Sequence, residues 1–308
     1  MTDKKQLSEL IKTKAKALGF EGVGFSRAEK LEGEEDHLKT WLDLGYQGKM
    51  DYMENHFEKR LDPRELLPGV KSVISLMYNY YPETTLNNSS YKIARYAYGK
   101  DYHRIIKKRL KAFTFYLNEL VKGTNFRVFV DSAPIMERQW AAKSGLGWLG
   151  KNTLMINKDK GSYFFLAEVL VDMDLEYDGP IRDHCGSCTA CLDACPTNAF
   201  EGPYVLNASK CISYMTIELK DEIDNDFKGK LDKWIFGCDV CQEVCPWNRF
   251  SSPHEEESFN PPKELVDMKD RQWLELTENQ FNRIFEGSAV KRTKFKGLKR
   301  NIEFLSED

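Results

Sequence analysis

Outside residues 185–245 this 308-residue chain contains no cysteine, although it holds eight. It also lacks an apolar export segment. The N-terminus, Met-Thr-Asp-Lys-Lys-Gln, reads as the start of an amphipathic helix, so a secreted disulfide framework is not expected. No apolar run approaches the length of a membrane span, and no membrane partner is expected. Neither sign of charge dominates: 45 Lys and Arg against 48 Asp and Glu leave a formal charge of −3. That balance argues against a surface coated for nonspecific nucleic-acid binding, DNA included, while leaving room for a local basic patch. There is no internal repeat beyond two half-motifs of cysteines. With 41% hydrophobic residues the chain can build a sizeable core, and its length suits two domains. Thiol-rich chemistry without an export signal points to the cytoplasm.

The cysteines are the densest signal. The first four read Cys185-Gly-Ser-Cys188-Thr-Ala-Cys191-Leu-Asp-Ala-Cys195-Pro196. The last three read Cys238-Asp-Val-Cys241-Gln-Glu-Val-Cys245-Pro246, with Cys211 alone between the groups. This is the ligand pattern of a two-cluster bacterial ferredoxin whose second half has been opened up. A cubane needs four converging thiolates, and the fourth cysteine of each run ligates the other cluster. One [4Fe–4S] cluster therefore takes Cys185, Cys188, Cys191 and Cys245. The other takes Cys195, Cys211, Cys238 and Cys241. Paired zinc sites also use C-x2-C, but the full C-x2-C-x2-C-x3-C-P run with a second CP half is the iron–sulfur form.

Upstream, helical and strand periodicities alternate. Leu7, Leu10, Ile11, Ala15 and Leu18 fall at helical spacing before Gly19, and residues 20–26 read as a short strand. A second helix covers 31–44, and 71–80 is a buried strand. Residues 102–121 form a helix with Ile106, Leu110, Phe113 and Leu117 inward. Its cations Lys107, Lys108, Arg109 and Lys111 read as a solvated face. A strand at 126–130 delivers Asp131 at its end, a helix resumes at 135–143, and strands follow at 154–156 and 163–172. This alternation argues for a layered α/β or α+β domain ending near Gly179-Pro180. Beyond Pro246 the composition turns polar, with Trp273, Phe281 and Ile284 marking short closing helices. The expected organisation is a catalytic domain at 1–179, a ferredoxin-like module at 180–250 and a linker with a helical, basic segment at 251–308.

Three further features carry chemistry or its imitation. Gly145 to Gly150 spells G-x-G-x-x-G, but it follows a helix and precedes a strand, the reverse of a dinucleotide fingerprint. Such a loop can instead bring backbone close to a bulky cofactor. Asp131 is either a proton donor at a strand end or a cap for the helix near Pro134. As a donor at neutral pH it needs a raised pKa, for which desolvation is the expected cause. Asp101-Tyr-His103 lacks a glycine at position 106, so the D-x-H-x-x-G cobalamin signature is absent.

Taken together, several motifs resemble the epoxyqueuosine reductases, which complete queuosine in tRNA. They are Glu58-Lys-Arg60, Leu66-Leu-Pro68, Ala94-Arg-Tyr96, Gly99-Lys-Asp101-Tyr-His103 and Asp131-Ser-Ala-Pro134. To them add Gly147-Trp-Leu-Gly150-Lys151-Asn152, Gly161-Ser162, Cys211-Ile-Ser213-Tyr214 and Gly237-Cys238-Asp239. The resemblance implies an α+β chain with an N-terminal cobalamin-binding domain similar to reductive dehalogenases, a two-cluster module and a short helical tail. It implies base-off cobalamin touching Arg60, Ala94, Asp131, Asn152, Met155, Leu166, Ser213, Cys238 and Asp239, with Asp131 as proton donor. The substrate would be tRNA carrying epoxyqueuosine, and an external low-potential donor would supply electrons. Phosphate-contact candidates are Lys220, Lys291, Arg292, Lys294, Lys296, Lys299 and Arg300, with the cations near 100–111. Longer family members carry a helical-repeat extension that this sequence, read to Asp308, does not show. Two other readings compete: a dehalogenase-like or flavin-dependent reductase of a small molecule, and a non-catalytic ferredoxin-type electron carrier.

Overall fold

Four antiparallel strands with both faces covered form the centre of the N-terminal half. Their spatial order is Gly22–Arg27, Ser72–Asn79, Phe164–Val171, Phe126–Phe129. The computed structural model describes residues 3–306. Positions 1–2 and 307–308 of the expected N-terminal helix and C-terminal segment lie outside the described residues.

The two central strands are buried on both sides, which is why they read as almost continuous apolar runs rather than alternating ones. One face receives the helices Lys4–Ala17 and Tyr102–Leu120, through Leu7, Ile11, Ile106, Leu110 and Phe113 packed on Ile74, Leu76 and Val169. The other receives Glu32–Asp43 and Glu137–Lys143, through Leu38 and Trp140 on Val73 and Leu170. The fold is α+β, because every pairing in this sheet is antiparallel.

The glycine-rich loop turns out to be a hairpin, Trp148–Leu149 paired with Met155–Ile156. A Cβ on Gly147 would lie 2.1 Å from the Ile156 carbonyl oxygen, and one on Gly150 would lie 2.4 Å from Ile156 Cδ1. These glycines therefore admit the hairpin's own partner strand. The expected approach to a cofactor does not explain them.

In the cysteine-rich part, short helices Ala190–Asp193 and Val240–Glu243 begin just after each half-motif opens and pack together. Between them, Trp234–Phe236 pairs in parallel with Lys92–Ile93, far upstream in sequence. The closing helices fold back onto this junction. Trp273, Phe281, Leu298 and Ile302 share a core with Tyr91, Ile93, Trp234 and Phe236. Buried Asn301 in the helix Lys294–Ser306 donates to the carbonyls of Thr216 and Ile235 at 2.9 and 2.8 Å.

Candidate active site

One cavity of about 430 Å³ lies where the sheet half, the junction and the cysteine-rich part meet. Of the residues expected at a cofactor, Ala94, Asp131, Asn152, Met155, Leu166, Ser213, Cys238 and Asp239 all line it. Arg60 does not; its guanidinium donates to the carbonyls of Tyr52 at 2.6 Å and Asn55 at 3.3 Å. The walls are mostly apolar and aromatic, with Tyr96, Tyr102, Phe164 and Phe165 beside Met155 and Leu166. Among the described residues lining it there is no histidine.

Asp131 follows the strand Phe126–Phe129 with φ of 59°, a left-handed conformation that Asp tolerates better than most residues. Its backbone N–H donates to Glu137 Oε1 at 2.6 Å. Its carboxylate takes a short hydrogen bond from the Tyr102 hydroxyl, and His103 Nε2 lies 3.5 Å from the same oxygen. The helix Glu137–Lys143 has no side-chain cap, so the capping reading of Asp131 is excluded. Tyr102 is itself fixed by stacking on Phe165, ring centroids 4.0 Å apart, and on His103 at 4.1 Å. His103 Nδ1 donates to Asp101 Oδ1 at 2.8 Å, and Asp101 also caps the helix that carries both rings.

The electrostatics of Asp131 differ from expectation. Burial pushes its carboxyl up, but hydrogen bonds from His103 and Tyr102 outweigh it and hold the group below the usual aspartate value. For His103 burial works downward, and the bonds to Asp101 and Asp131 reverse it, pushing the imidazole up to about 9. At neutral pH the pair therefore keeps one proton, held on the ring and aimed at the carboxylate. Desolvation alone does not produce the acid here.

The eight cysteines are free thiols in two neighbourhoods. Burial, then Cys245, Cys185 and Cys188, push Cys191 up to about 11. Burial and Cys211 raise Cys238, while Cys241 is raised by burial, then by Cys211, Asp239, Cys191 and Cys195. Cys191 and Cys245 thus face Cys185 and Cys188, and Cys211 faces Cys195, Cys238 and Cys241, while Cys191 is also felt at Cys241. Among the described residues no three donors are close enough to hold a single metal ion. Trp148 Nε1 donates to Cys185 Sγ at 3.5 Å and the Ala199 amide to Cys195 Sγ at 3.3 Å. Such bonds stabilise charge on cluster sulfurs. Cys195, Cys211, Cys238 and Cys241 all line the cavity, so the second group opens directly onto it.

Asp239 is buried at 2% exposure and accepts from Arg95 through the backbone N–H at 2.8 Å and Nη1 at 3.1 Å. Burial lifts its carboxyl to about 6 despite that partner. Of the expected phosphate cations, Arg300 is committed to the carbonyls of Leu219, Met215 and Asp221, and Lys299 to that of Leu274. Lys220 donates to the Ile217 carbonyl and Lys291 to Asn282. Arg292 pairs with Glu218 and its charge is felt at Asp131. Among the described residues Lys294 and Lys296 have no hydrogen-bond or ion-pair partner. Arg109, expected on a solvated face, pairs with Glu256 at 2.6 Å.

Sequence reading missed Tyr102 and His103 as partners of Asp131, Arg95 as the partner of Asp239, and two glutamates discussed below. The aromatic density around Asp101-Tyr-His103 was the one available hint.

Comparison with known proteins agrees with this geometry. A family model described as epoxyqueuosine reductase QueG, DUF1730, matches residues 60–132, and one for a 4Fe-4S double cluster binding domain matches 184–248. An epoxyqueuosine reductase of Cellulophaga algicola is 55% identical over 305 residues, covering 99% of this chain and all of that one. A crystal structure of an epoxyqueuosine reductase with an epoxyqueuosine-modified tRNA-Tyr stem loop superposes with a TM-score of 0.90 at 31% identity, covering 97% of this chain and 80% of that one. The Bacillus subtilis enzyme, solved with its catalytic aspartate loop swung out of the active site, gives 0.89 at 30% identity, covering 97% and 81%. A B12-dependent reductive dehalogenase shares the fold at 0.50 and 16% identity, over 98% of this chain and 38% of that one.

Proposed function

The chain belongs to the epoxyqueuosine reductase family, and from that premise we propose that it reduces epoxyqueuosine to queuosine in the anticodon loop of tRNA, at the cavity beside Asp131. The observation that carries this reading is the meeting of two kinds of group on one cavity. Four thiols of the double-cluster domain form part of one wall, and a hydrogen-bonded acid, Asp131, forms part of another.

The residues fit a corrinoid. The apolar floor of Met155, Leu166 and Phe164 suits a flat macrocycle, and Asn152, Ser213 and Asp239 offer polar atoms around it. With no histidine among the lining residues described, none of them would offer an imidazole to a metal held there. Bound there and fed through the clusters, the corrinoid supplies the electron pair that the epoxide requires.

The chain's own residues supply the rest. Turning an epoxide into an alkene takes two electrons and two protons and releases water. Asp131 passes to the opening epoxide oxygen the proton that His103 holds. Tyr102 holds that carboxylate in place, and the aromatic walls limit water. Arg95 stabilises the Asp239 carboxylate beside the Cys238 ligand. Lys294 and Lys296 are the candidates to meet phosphates, whereas Arg300 and Lys299 serve the fold and Arg292 is paired with Glu218. An unpaired loop base can be splayed into such a pocket, which is how single-stranded RNA is commonly read. Eight free thiols fit a reducing cytoplasm.

The test is anaerobic protein reconstituted with iron, sulfide and cobalamin. Base-off cob(II)alamin should be visible by electron paramagnetic resonance, and an epoxyqueuosine stem loop should be converted. Asp131→Ala should abolish turnover with clusters and corrinoid still bound. Failure to bind any corrinoid would overturn the cofactor reading, and undiminished Asp131→Ala activity would overturn the donor assignment.

A further inference from the structure

Two carboxyl groups next to Asp131 have no part in the scheme above. Glu168 stands in the middle of the apolar strand Phe164–Val171, is 0% exposed, and sits in register between Ser75 and Phe129. Its nearest titratable neighbour is Glu137, at the start of the helix Glu137–Lys143. Glu137 reaches the other way too: it lines the cavity, and its Oε1 accepts the Asp131 backbone N–H at 2.6 Å. Among the described residues neither carboxyl has an ion-pair partner within 4.0 Å, and no hydrogen-bond donor outside the pair reaches Glu168.

Two adjacent carboxylates in an apolar interior without a cation cannot both ionise, because each loses its hydration and repels the other. The aspartic-protease pair, sharing one proton, is the general precedent. The groups facing Glu137 are Glu168 from the sheet, Asp131 from its loop, Tyr102 from the long helix and Arg138 on its own helix. Only Arg138 favours ionisation by its charge, and it is exposed and bonded to the Thr153 carbonyl at 2.8 Å. Burial and the Asp131 charge push Glu137 up to about 7; burial and Glu137 push Glu168 further up. As one ionises near neutral pH, the other keeps its proton.

We propose that Glu137 and Glu168 hold one proton between them and release it into the cavity through Glu137 as the second proton of the reduction. The proposal rests on the assignment of Asp131 as the first donor. The balance is then complete. The first C–O bond of the epoxide breaks and its oxygen takes the proton from Asp131. The second breaks as the resulting hydroxyl leaves, taking the proton from Glu137 and departing as water. The two electrons enter from the external donor through the cluster side and end in the alkene. The His103–Asp131 pair and the glutamate pair regain their protons from solvent between turnovers.

The experiment uses reconstituted holoenzyme carrying Glu137→Gln or Glu168→Gln, with the epoxyqueuosine stem loop as substrate. Glutamine preserves shape, and at 137 it keeps a carbonyl oxygen for the Asp131 N–H. Either change should lower kcat by about 10²-fold, the usual scale for a proton donor, with KM unchanged. Glu137→Asp should recover part of the loss. Independently of activity, the wild-type chain at pH 8 should show the infrared carbonyl band of a buried protonated carboxyl, absent from Glu168→Gln. Wild-type kcat in both glutamine variants, while Asp131→Ala is inactive, overturns this proposal alone. An active Asp131→Ala instead removes the reading beneath it. A wild-type chain without the infrared band overturns the shared proton whatever the rates.

Discussion

The charge on His103 is the sharpest lever on the proposed acid, and His103→Gln removes it while keeping a hydrogen-bonding side chain. His103 Nε2 lies 3.5 Å from Asp131 Oδ2. Two unit charges at that distance interact by about 5 kcal/mol at an effective dielectric of 20, and by about 1 kcal/mol in bulk water. Asp131 keeps 55% of its side-chain surface exposed, so the lower end applies: about 1–2 kcal/mol. Without the imidazole the carboxyl is released from the strongest contact holding it down, and no neighbouring group replaces the proton the ring held. In the wild type the pair keeps its proton until pH approaches the raised His103 value of about 9. Wild-type turnover should therefore persist to about pH 9, whereas the variant should decline tenfold per pH unit from mildly acidic pH upward. At pH 7.5 the deficit should reach between about 10² and 10³. Single-turnover rates on the stem loop from pH 5.5 to 9.5 measure this, with cluster absorbance and stem-loop binding as controls. A deficit of the same size at every pH would refute the reasoning, as would an unchanged profile.

Two other perturbations follow from the packing. Gly237 has φ of 69°, and a Cβ there would lie 2.5 Å from the Ala94 Cβ, so Gly237→Ala should cost about 2–4 kcal/mol and displace Cys238. Thermal melting and iron content report it; full iron occupancy with unchanged melting would contradict the fit. Glu256 accepts from Arg109 at 2.6 Å and Tyr78 at 3.0 Å; burial opposes its ionisation, but these bonds win and hold it at about 2. A depressed acid stabilises above its unfolded value and loses that contribution as pH falls through about 2. Glu256→Gln should therefore lose about 2 kcal/mol at pH 7, and its gap to wild type should close toward pH 2 in urea titrations.

What could be read from the sequence was local in origin. The helix Tyr102–Leu120 and the strand Ser72–Asn79 announce themselves through spacing, because each buries its own residues against one layer. The double-cluster module was legible because a cubane imposes its own cysteine spacing. The direction of the Asp131 pKa was not, since it depends on Tyr102 and His103, about thirty positions upstream and brought close only by the layering of the sheet. Glu168 offered a signal of a kind, a lone acid inside Phe-Phe-Leu-Ala-Glu-Val-Leu-Val, but its meaning required Glu137, which belongs to a different element. Arg300 and Lys299 illustrate the opposite error. In sequence they belong to a basic run, and only the fold shows their charges turned onto carbonyls of neighbouring segments.

The spacing that opens the second half of the cysteine pattern has a structural cause. In a compact ferredoxin the ligand equivalent to Cys211 would stand close before Cys238, and the loop between them would have nothing to cover. Here residues 212–237 supply Ile212, Ser213 and Ile217 to the cavity through the π-helical turn Tyr214–Glu218, then pair with Lys92–Ile93 through Trp234–Phe236. Gln242 then donates to the Ser162 carbonyl at 3.1 Å, and Asn152 Nδ2 to the Cys241 carbonyl at 3.2 Å. Ser162 in turn donates its N–H to Asn248 Oδ1 at 2.6 Å. These bonds tie the second set of thiols to the layered half of the protein rather than to the first half-motif alone. A thiol wall hung only from its own loop could shift relative to Asp131. Held by Gln242, Asn152 and the strand pairing, it keeps its place relative to Asp131, as the proposed reaction, with electrons from one side and protons from the other, would require.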